Sequence, residues 1–241
     1  MRSPDVNVLG QPIGAALTLW VPPTLPPREL MQGRYCRLEP IDERFAADLH
    51  AANLRDMDGR NWTYLPYGPF SSEGDYRLWL TATCFGTDPL FYVIIEVSSG
   101  RAVGVAAYMR IDPKVGSIEV GHLHFSPLLQ HARGATEAMY LMMKCVFGLG
   151  YRRYEWKCDA LNAPSRAAAQ RLGFSFEGVF RQATVYKGRN RDTAWYAAID
   201  EDWPALARAF ETWLDPANFD EAGHQRTRLS DLTRPLLVTR G

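Results

Sequence analysis

Residues 90–125 hold three apolar runs in quick succession: LFYVIIEV (90–97), AVGVAAYMRI (102–111) and SIEVGHLHF (117–125). Their connectors, SSGR and DPKVG, are short and polar, so the runs are expected to pair as an antiparallel meander. No helix fits between them. After the third run come a long apolar-periodic segment, ATEAMYLMMKCVFGLG, and then another strand-like run, YRRYEWKCD (151–159). A helix that crosses from the third run to this fourth one makes those two strands parallel. The middle of the chain therefore predicts an antiparallel sheet that ends in one parallel pair.

The flanks extend this plan. RYCRLEPI (34–41) alternates as a half-buried strand, and Asp42 opens a helix through about Asn53. WTYLPYGPF (62–70) is a loop by its prolines and glycine, and Ser71 or Ser72 starts a second helix. Beyond residue 159, Asn162 opens a short helix stopped by Gly173, with Pro164 in its tolerant first turn. FSFEGVFRQATVY and DTAWYAAI make a hairpin around the turn KGRNR, and DWPALARAFETWL is a closing amphipathic helix. The expected units are a Pro/Gly-rich strap over 1–32, one domain over 33–214 and a polar tail over 215–241.

Composition excludes several classes. With 27 basic and 27 acidic residues, the formal net charge is +0, so no general field draws nucleic acid or an anionic membrane. No apolar stretch is long enough to span a bilayer, and the first residues lack the apolar core of a secretory signal. Cys36, Cys84, Cys145 and Cys158 are scattered without metal-ligand spacing, which suits buried thiols in a reducing compartment. A cytoplasmic protein without metal is expected.

The chemistry concentrates in QHARGATEA (130–138). A strand that runs into a tight turn and a helix leaves backbone N–H groups unpaired at the helix start. Those donors and the positive dipole end suit a pyrophosphate. An ordinary helix start with Arg133 in water is the plainer alternative.

HFSPLLQHARGATEA with a helix, a strand, NAPSRAAAQRLGF and a strand after it resembles the GNAT superfamily of acetyl-CoA-dependent N-acetyltransferases. The likeness is greatest to the branch of ribosomal-protein N-terminal acetyltransferases, and it covers roughly residues 33–200. It implies a mixed α/β (α+β) fold: a single GNAT-type domain with a mostly antiparallel twisted sheet of about seven strands. One parallel pair splays at the acetyl-CoA site, and helices cover both faces. Gln130, His131, Ala132, Arg133, Gly134, Ala135 and Thr136 match the pyrophosphate loop, with Arg133 where a glycine is usual. That arginine needs a backbone without positive φ, and its guanidinium would then stand beside the phosphates. Asn162 matches the asparagine that contacts the pantetheine arm, and it is also a natural helix cap.

The resemblance further implies roles in the reaction. The tyrosine that often protonates the leaving thiolate is replaced by Ala169, and Ser165 matches the serine used instead in some relatives. Glu119 matches a base on the strand before the loop; His122 is a second candidate, and a mechanism without a dedicated base is a third. A bulge expected in that strand changes which face His122 and His124 share with Glu119. Backbone N–H groups around Phe125 would stabilise the oxyanion. Trp62, Tyr64, Tyr67 and Phe70 either wall an amine pocket or pack on one another. The implied partners are acetyl-CoA and an amine acceptor, for a monomer or homodimer that binds neither nucleic acid nor membrane. The competing reading is a non-catalytic acyl-CoA-binding module; a ping-pong route through Cys158 lacks any sign of a lowered thiol pKa.

Overall fold

A computed structural model describes residues 4–241. In chain order the strands and helices are β1 (Asp5–Val6), β2 (Pro12–Ile13), β3 (Met31–Gln32), β4 (Cys36–Pro40), α1 (Ala46–Asn53), α2 (Glu73–Thr83), β5 (Leu90–Glu96), β6 (Ala102–Asp112), β7 (Ser117–Phe125) and α3 (Arg133–Gly148). They continue with β8 (Arg153–Asp159), α4 (Ala163–Arg171), β9 (Ser175–Tyr186), β10 (Arg189–Ile199), α5 (Trp203–Leu214) and α6 (Leu229–Thr233). The main sheet has 8 strands in the order β3-β4-β5-β6-β7-β8-β10-β9, and β1 and β2 pair separately. Every neighbouring pair is antiparallel except β7 and β8. The extra strand beyond the expected seven is β3, two residues at the edge.

Each face buries its own cluster. On one, α3 and α5 cover Leu38, Tyr92, Tyr108, Ile118, Tyr154, Trp156 and Tyr196. On the other, α1 and α2 cover Phe91, Val93, Ile95, Val105 and Ala107. Alternation along β5, and along β6 from Val105 onward, divides these residues between the faces. Local chemistry starts the helices where the sequence indicates. Ser72 Oγ accepts the Asp75 N–H at 3.1 Å, and Asn162 Oδ1 accepts the Ser165 N–H at 3.1 Å. Asp42 caps a 3-10 turn (Glu43–Phe45) that leads into α1. The KGRNR turn is tighter than expected: Lys187 and Gly188 alone make it, at φ 48° and 70°, and β10 begins at Arg189.

The segment after α5 folds back on the domain. Leu229 is fully buried, Thr233 Oγ1 donates to the Arg171 carbonyl at 2.9 Å, and the Val238 N–H donates to Ser175 Oγ at 3.0 Å. In the strap, Trp20 Nε1 donates to the Gly150 carbonyl at 3.3 Å.

Two charged devices fix the sheet around β7 and β8. The Glu137 carboxylate, in the first turns of α3, accepts the backbone N–H groups of Arg34, Tyr35 and Cys36 at 2.8, 2.6 and 2.8 Å. Gly33 is required beside it, since a Cβ there would stand 2.4 Å from Glu137 Oε2. The second device spans the parallel pair. Glu119 and Glu155 are register partners, two carboxylates side by side. Lys157 Nζ bridges them, 2.9 Å from Glu119 and 2.7 Å from Glu155, while Arg110 reaches Glu119 at 2.7 Å and Arg153 reaches Glu155 at 2.6 Å. Burial alone would raise the Glu155 pKa, but the hydrogen bonds from Arg153 and Lys157 win and hold it below the ordinary carboxylate value.

Removing the bridge strands two buried like charges. Lys157→Met is expected to cost about 3–5 kcal/mol, the cost of breaking a buried ion pair from one side. Adding Glu119→Gln and Glu155→Gln to that variant is expected to restore most of the loss in urea unfolding. A destabilisation as large in the triple variant as in the single one would show that Lys157 acts through packing on Trp195 instead.

Candidate active site

The parallel pairing of β7 and β8 lasts only from Ser117↔Arg153 to Val120↔Trp156. Beyond it β7 stays with β6 as far as Phe125↔Gly104, and β8 stays with β10 as far as Asp159↔Thr193. Each strand follows its other neighbour, and the sheet forks. The cause on the β7 side is a bulge: Gly121 faces Ala107 and His124 faces Val105, so β7 carries one residue more than β6 over that stretch. The extra residue centres on His122, which sits at φ 50°. The bulge turns His124 onto the face that Glu119 and Gly121 share, against the parity of an unbroken strand.

The start of α3 stands at one side of the fork. Ala132 is its N-cap and makes no side-chain cap hydrogen bond, so the first N–H groups of the helix are open to an anion. The left-handed residue of the turn is His131, at φ 61°. Arg133 is the first helical residue and needs no glycine there. Its guanidinium lies 3.8 Å over the Phe219 ring, held by cation–π attraction to the segment after α5. Gly134 packs its bare Cα against Cys36, and Ala135 keeps the side chain at this turn small. Thr136 is buried and its Oγ1 accepts from Arg171 Nη1 at 3.0 Å, a cation from α4 that sequence spacing does not indicate. Gln130 Nε2 donates to the Phe125 carbonyl at 2.9 Å and to Asn61 Oδ1 at 2.8 Å.

On α4, Asn162 serves as the cap, which leaves its amide nitrogen outside that bond. Ser165 Oγ accepts from Trp156 Nε1 at 3.0 Å, and its side chain also hydrogen-bonds the Cys158 thiol. Ala169 is fully buried and offers no acid. Cys158 is buried, and burial pushes its thiol pKa up, so it is a poor nucleophile.

The opposite side of the fork is roofed by the aromatic loop. Tyr64 Oη donates to the Leu161 carbonyl at 3.1 Å, Lys187 Nζ donates to the Trp62 carbonyl at 2.7 Å, and Asn61 Nδ2 reaches the Phe125 carbonyl at 3.4 Å. The loop thus bridges the end of β7, the turn after β8 and the tip of the β9–β10 hairpin. Lys187, which reads as part of a solvated turn, is one of its supports. Trp62 is 3% exposed, stacks 3.7 Å from the His124 ring and meets Phe70 edge-on; both rings enter the cluster under α1 and α2, where they line a cleft together with His50, Asn53 and Tyr76. Tyr64 and Tyr67 remain at the roof. Beneath it the buried Asp159 carboxylate accepts from Tyr186 Oη at 2.9 Å.

Two histidines and a glutamate compete for the role of base. Arg110 and Lys157 both engage Glu119 at Oε2. His122 Nδ1 is 3.0 Å from Tyr67 Oη, and its ring lies between Tyr67 and Phe91. Burial, with Arg110 adding repulsion, pulls the His122 pKa down to about 4. Burial pulls His124 down to about 3, and its Nε2 has no hydrogen-bond partner. Both rings are therefore neutral at pH 7. Among the described residues no group of His, Cys, Asp and Glu could hold a metal ion, and no helix is long and apolar enough to cross a membrane.

The model of the Acetyltransferase (GNAT) domain matches residues 36–175, which include the fork, the α3 start and the aromatic loop. The chain belongs to the GNAT acetyltransferase family. A GCN5-related N-acetyltransferase from Brucella melitensis is 44% identical, with a TM-score of 0.88 over 90% of this chain and 100% of that one. A GNAT-family structure from Chromobacterium violaceum is 41% identical, with a TM-score of 0.75 over 81% and 98%. The Salmonella typhimurium acetyltransferase that modifies the N-terminal serine of ribosomal protein L7/L12 shares the fold at 22% identity, with a TM-score of 0.58 over 71% and 99%. None of the curated proteins compared with the chain matches it. The GNAT family uses acetyl-CoA, and the open donors at the α3 start fit the pyrophosphate of such a ligand.

The neutral histidines leave a mark on stability. An unfolded histidine titrates near 6.5. Below that pH the unfolded chain takes up protons that the folded His124 refuses until about pH 3, so stability present above pH 6.5 is lost as pH falls. The expected slope is about 1.4 kcal/mol per pH unit for each such histidine. His124→Phe keeps a ring against Trp62 and is expected to flatten the pH 4–6 slope by that amount, measured by urea midpoints. An unchanged slope would mean that His124 titrates normally.

Proposed function

We propose that the protein is an acetyl-CoA-dependent N-acetyltransferase that passes the acetyl group directly to a primary amine, either a protein N-terminus or a small-molecule amine. The observation that carries this reading is the fork between β7 and β8. It has an uncapped helix start on one side and a neutral imidazole at the bulge on the other. The α3 start, with Gln130 to Thr136, holds the pyrophosphate. The pantetheine arm runs into the fork past Asn162, and backbone N–H groups near Phe125 receive the thioester oxygen.

In this reading His122 and Ser165 carry the proton traffic. His122 takes a proton from the attacking nitrogen through Nε2, in the tautomer where Nδ1–H donates to Tyr67 Oη. Its low basicity makes that transfer late, after the new C–N bond has made the nitrogen acidic. The acceptor must lose its first proton to solvent. Ser165 donates its hydroxyl hydrogen toward the departing sulfur, while Trp156 fixes its oxygen. The C–S bond breaks as the C–N bond forms, and the net proton moves from nitrogen to sulfur. Tyr67, whose pKa burial drives upward, remains a phenol throughout.

Incubation with acetyl-CoA and a panel of amines, read by free thiol release, tests this directly. His122→Gln is expected to lower kcat/KM by about 10²–10⁴-fold, the usual contribution of a general base. The wild-type rate is expected to rise with pH along the acceptor's own ionisation, with no histidine limb between pH 5 and 7. Buried Ala169 in place of a tyrosine is the one feature that favours a non-catalytic acyl-CoA-binding module. Tight acetyl-CoA binding without thiol release for any amine would establish that module instead.

A further inference from the structure

The start of α3 has a neighbour outside the matched family region. The segment after α5 passes beside it and bounds, with His131 and Arg133, a cleft of about 370 Å³. Phe219 and Trp213 contribute rings; Arg133 and Arg228 contribute guanidinium groups; His224 stands at the rim. Arg133 is clamped in place. Its Cζ lies 3.8 Å over Phe219 and 5.5 Å over Tyr35, and its Nη2 would come 3.2 Å from a Cβ at Gly223, a position at φ 83° that only glycine occupies without strain. The acid nearest the rim, Asp220, is engaged with His224, accepting its N–H at 2.8 Å and standing 3.4 Å from its Nδ1. Among the described residues, no carboxylate pairs with Arg133 or Arg228. Two guanidinium groups without counter-ions, over an aromatic floor, are a site for a phosphate attached to a flat heterocycle.

The acyl-CoA reading supplies the direction, and the inference rests on it. A pyrophosphate on the α3 start with the pantetheine in the fork sends the nucleotide outward, past the first helical residue. Arg133 stands between the two. We infer that the 219–228 segment completes the acyl-CoA site by taking the 3′-phosphate of the nucleotide between Arg133 and Arg228, with the adenine against Phe219. The arginine that displaces a glycine at the phosphate loop then serves a phosphate after all, one beyond the loop, and the C-terminal segment becomes part of the cofactor site.

Comparing CoA with 3′-dephospho-CoA by calorimetry isolates that phosphate. Wild type is expected to bind CoA at least tenfold more tightly. Arg133→Ala and Arg228→Glu are each expected to shrink the ratio, and the double variant to bring it near one, while the Kd of Arg228→Glu for 3′-dephospho-CoA changes less than twofold. Arg228 is exposed, so its variant remains folded and keeps the test valid if Arg133→Ala does not. Equal wild-type affinities for the two nucleotides would overturn the inference and leave the acyl-CoA reading intact. An equal loss of affinity for both in the variants would also overturn it, by showing a packing role for the tail. If wild type bound neither nucleotide, the acyl-CoA reading itself would fall.

Discussion

The bridge that Lys157 makes between Glu119 and Glu155 is the constraint on which the site depends. Parallel pairing of β7 with β8 lasts only four residues on each strand, ending at Val120 and Trp156. A pairing that short must be held firmly if its far end is to stay open. Three cations around two register-matched carboxylates do this one pair before the end, in a place where Lys157 is almost wholly buried and lies over the Trp195 ring. The fork opens directly beyond that clamp, with His122 at the bulge where the strands part.

The helix that faces the fork is positioned with equal economy. Glu137 anchors the first turns of α3 to the three N–H groups that lead into β4, which a sheet edge would otherwise leave to water. The helix start itself keeps its donors open. Gln130 then ties this loop to Asn61 of the aromatic roof through a single amide. Cofactor side and acceptor side therefore share a hydrogen-bonded chain through Phe125, and a change at the phosphate loop reaches the roof without passing through the sheet.

Elements with strong local signals are legible in the sequence. The meander, the crossover helix and the caps at Ser72 and Asn162 arise from periodicity and side-chain chemistry within a few residues. The parallel pair is a consequence of the crossover. The features that escape a reading of the sequence are set by partners far along the chain. Glu119 resembles a base because nothing near it announces Lys157 on another strand. Arg133 looks misplaced only if the left-handed turn is assigned to it, whereas His131 adopts that conformation and Phe219 holds the guanidinium. Nothing in the sequence near Trp62 announces His124, on which its ring stacks as the loop folds inward. The tail reads as polar because its exposed residues outnumber Leu229 and Thr233, which nonetheless fix it to α4 and α5.

The low basicity of His122 and His124 has a common origin that bears on acceptor choice. Both rings are packed among aromatic side chains, and the roof that excludes water from them also borders the amine path. An ammonium group entering that region would have to shed its hydration among groups already engaged: Arg110 with Glu119, Lys187 with the Trp62 carbonyl and Asp159 with Tyr186. Such desolvation favours an amine that is already neutral. The α-amine of a peptide, with its pKa near 8, meets that condition at neutral pH far more often than an alkylamine near 10 does. If the amine enters there, as in the direct transfer proposed above, the desolvation that keeps the imidazoles neutral would weigh toward acceptors of low basicity.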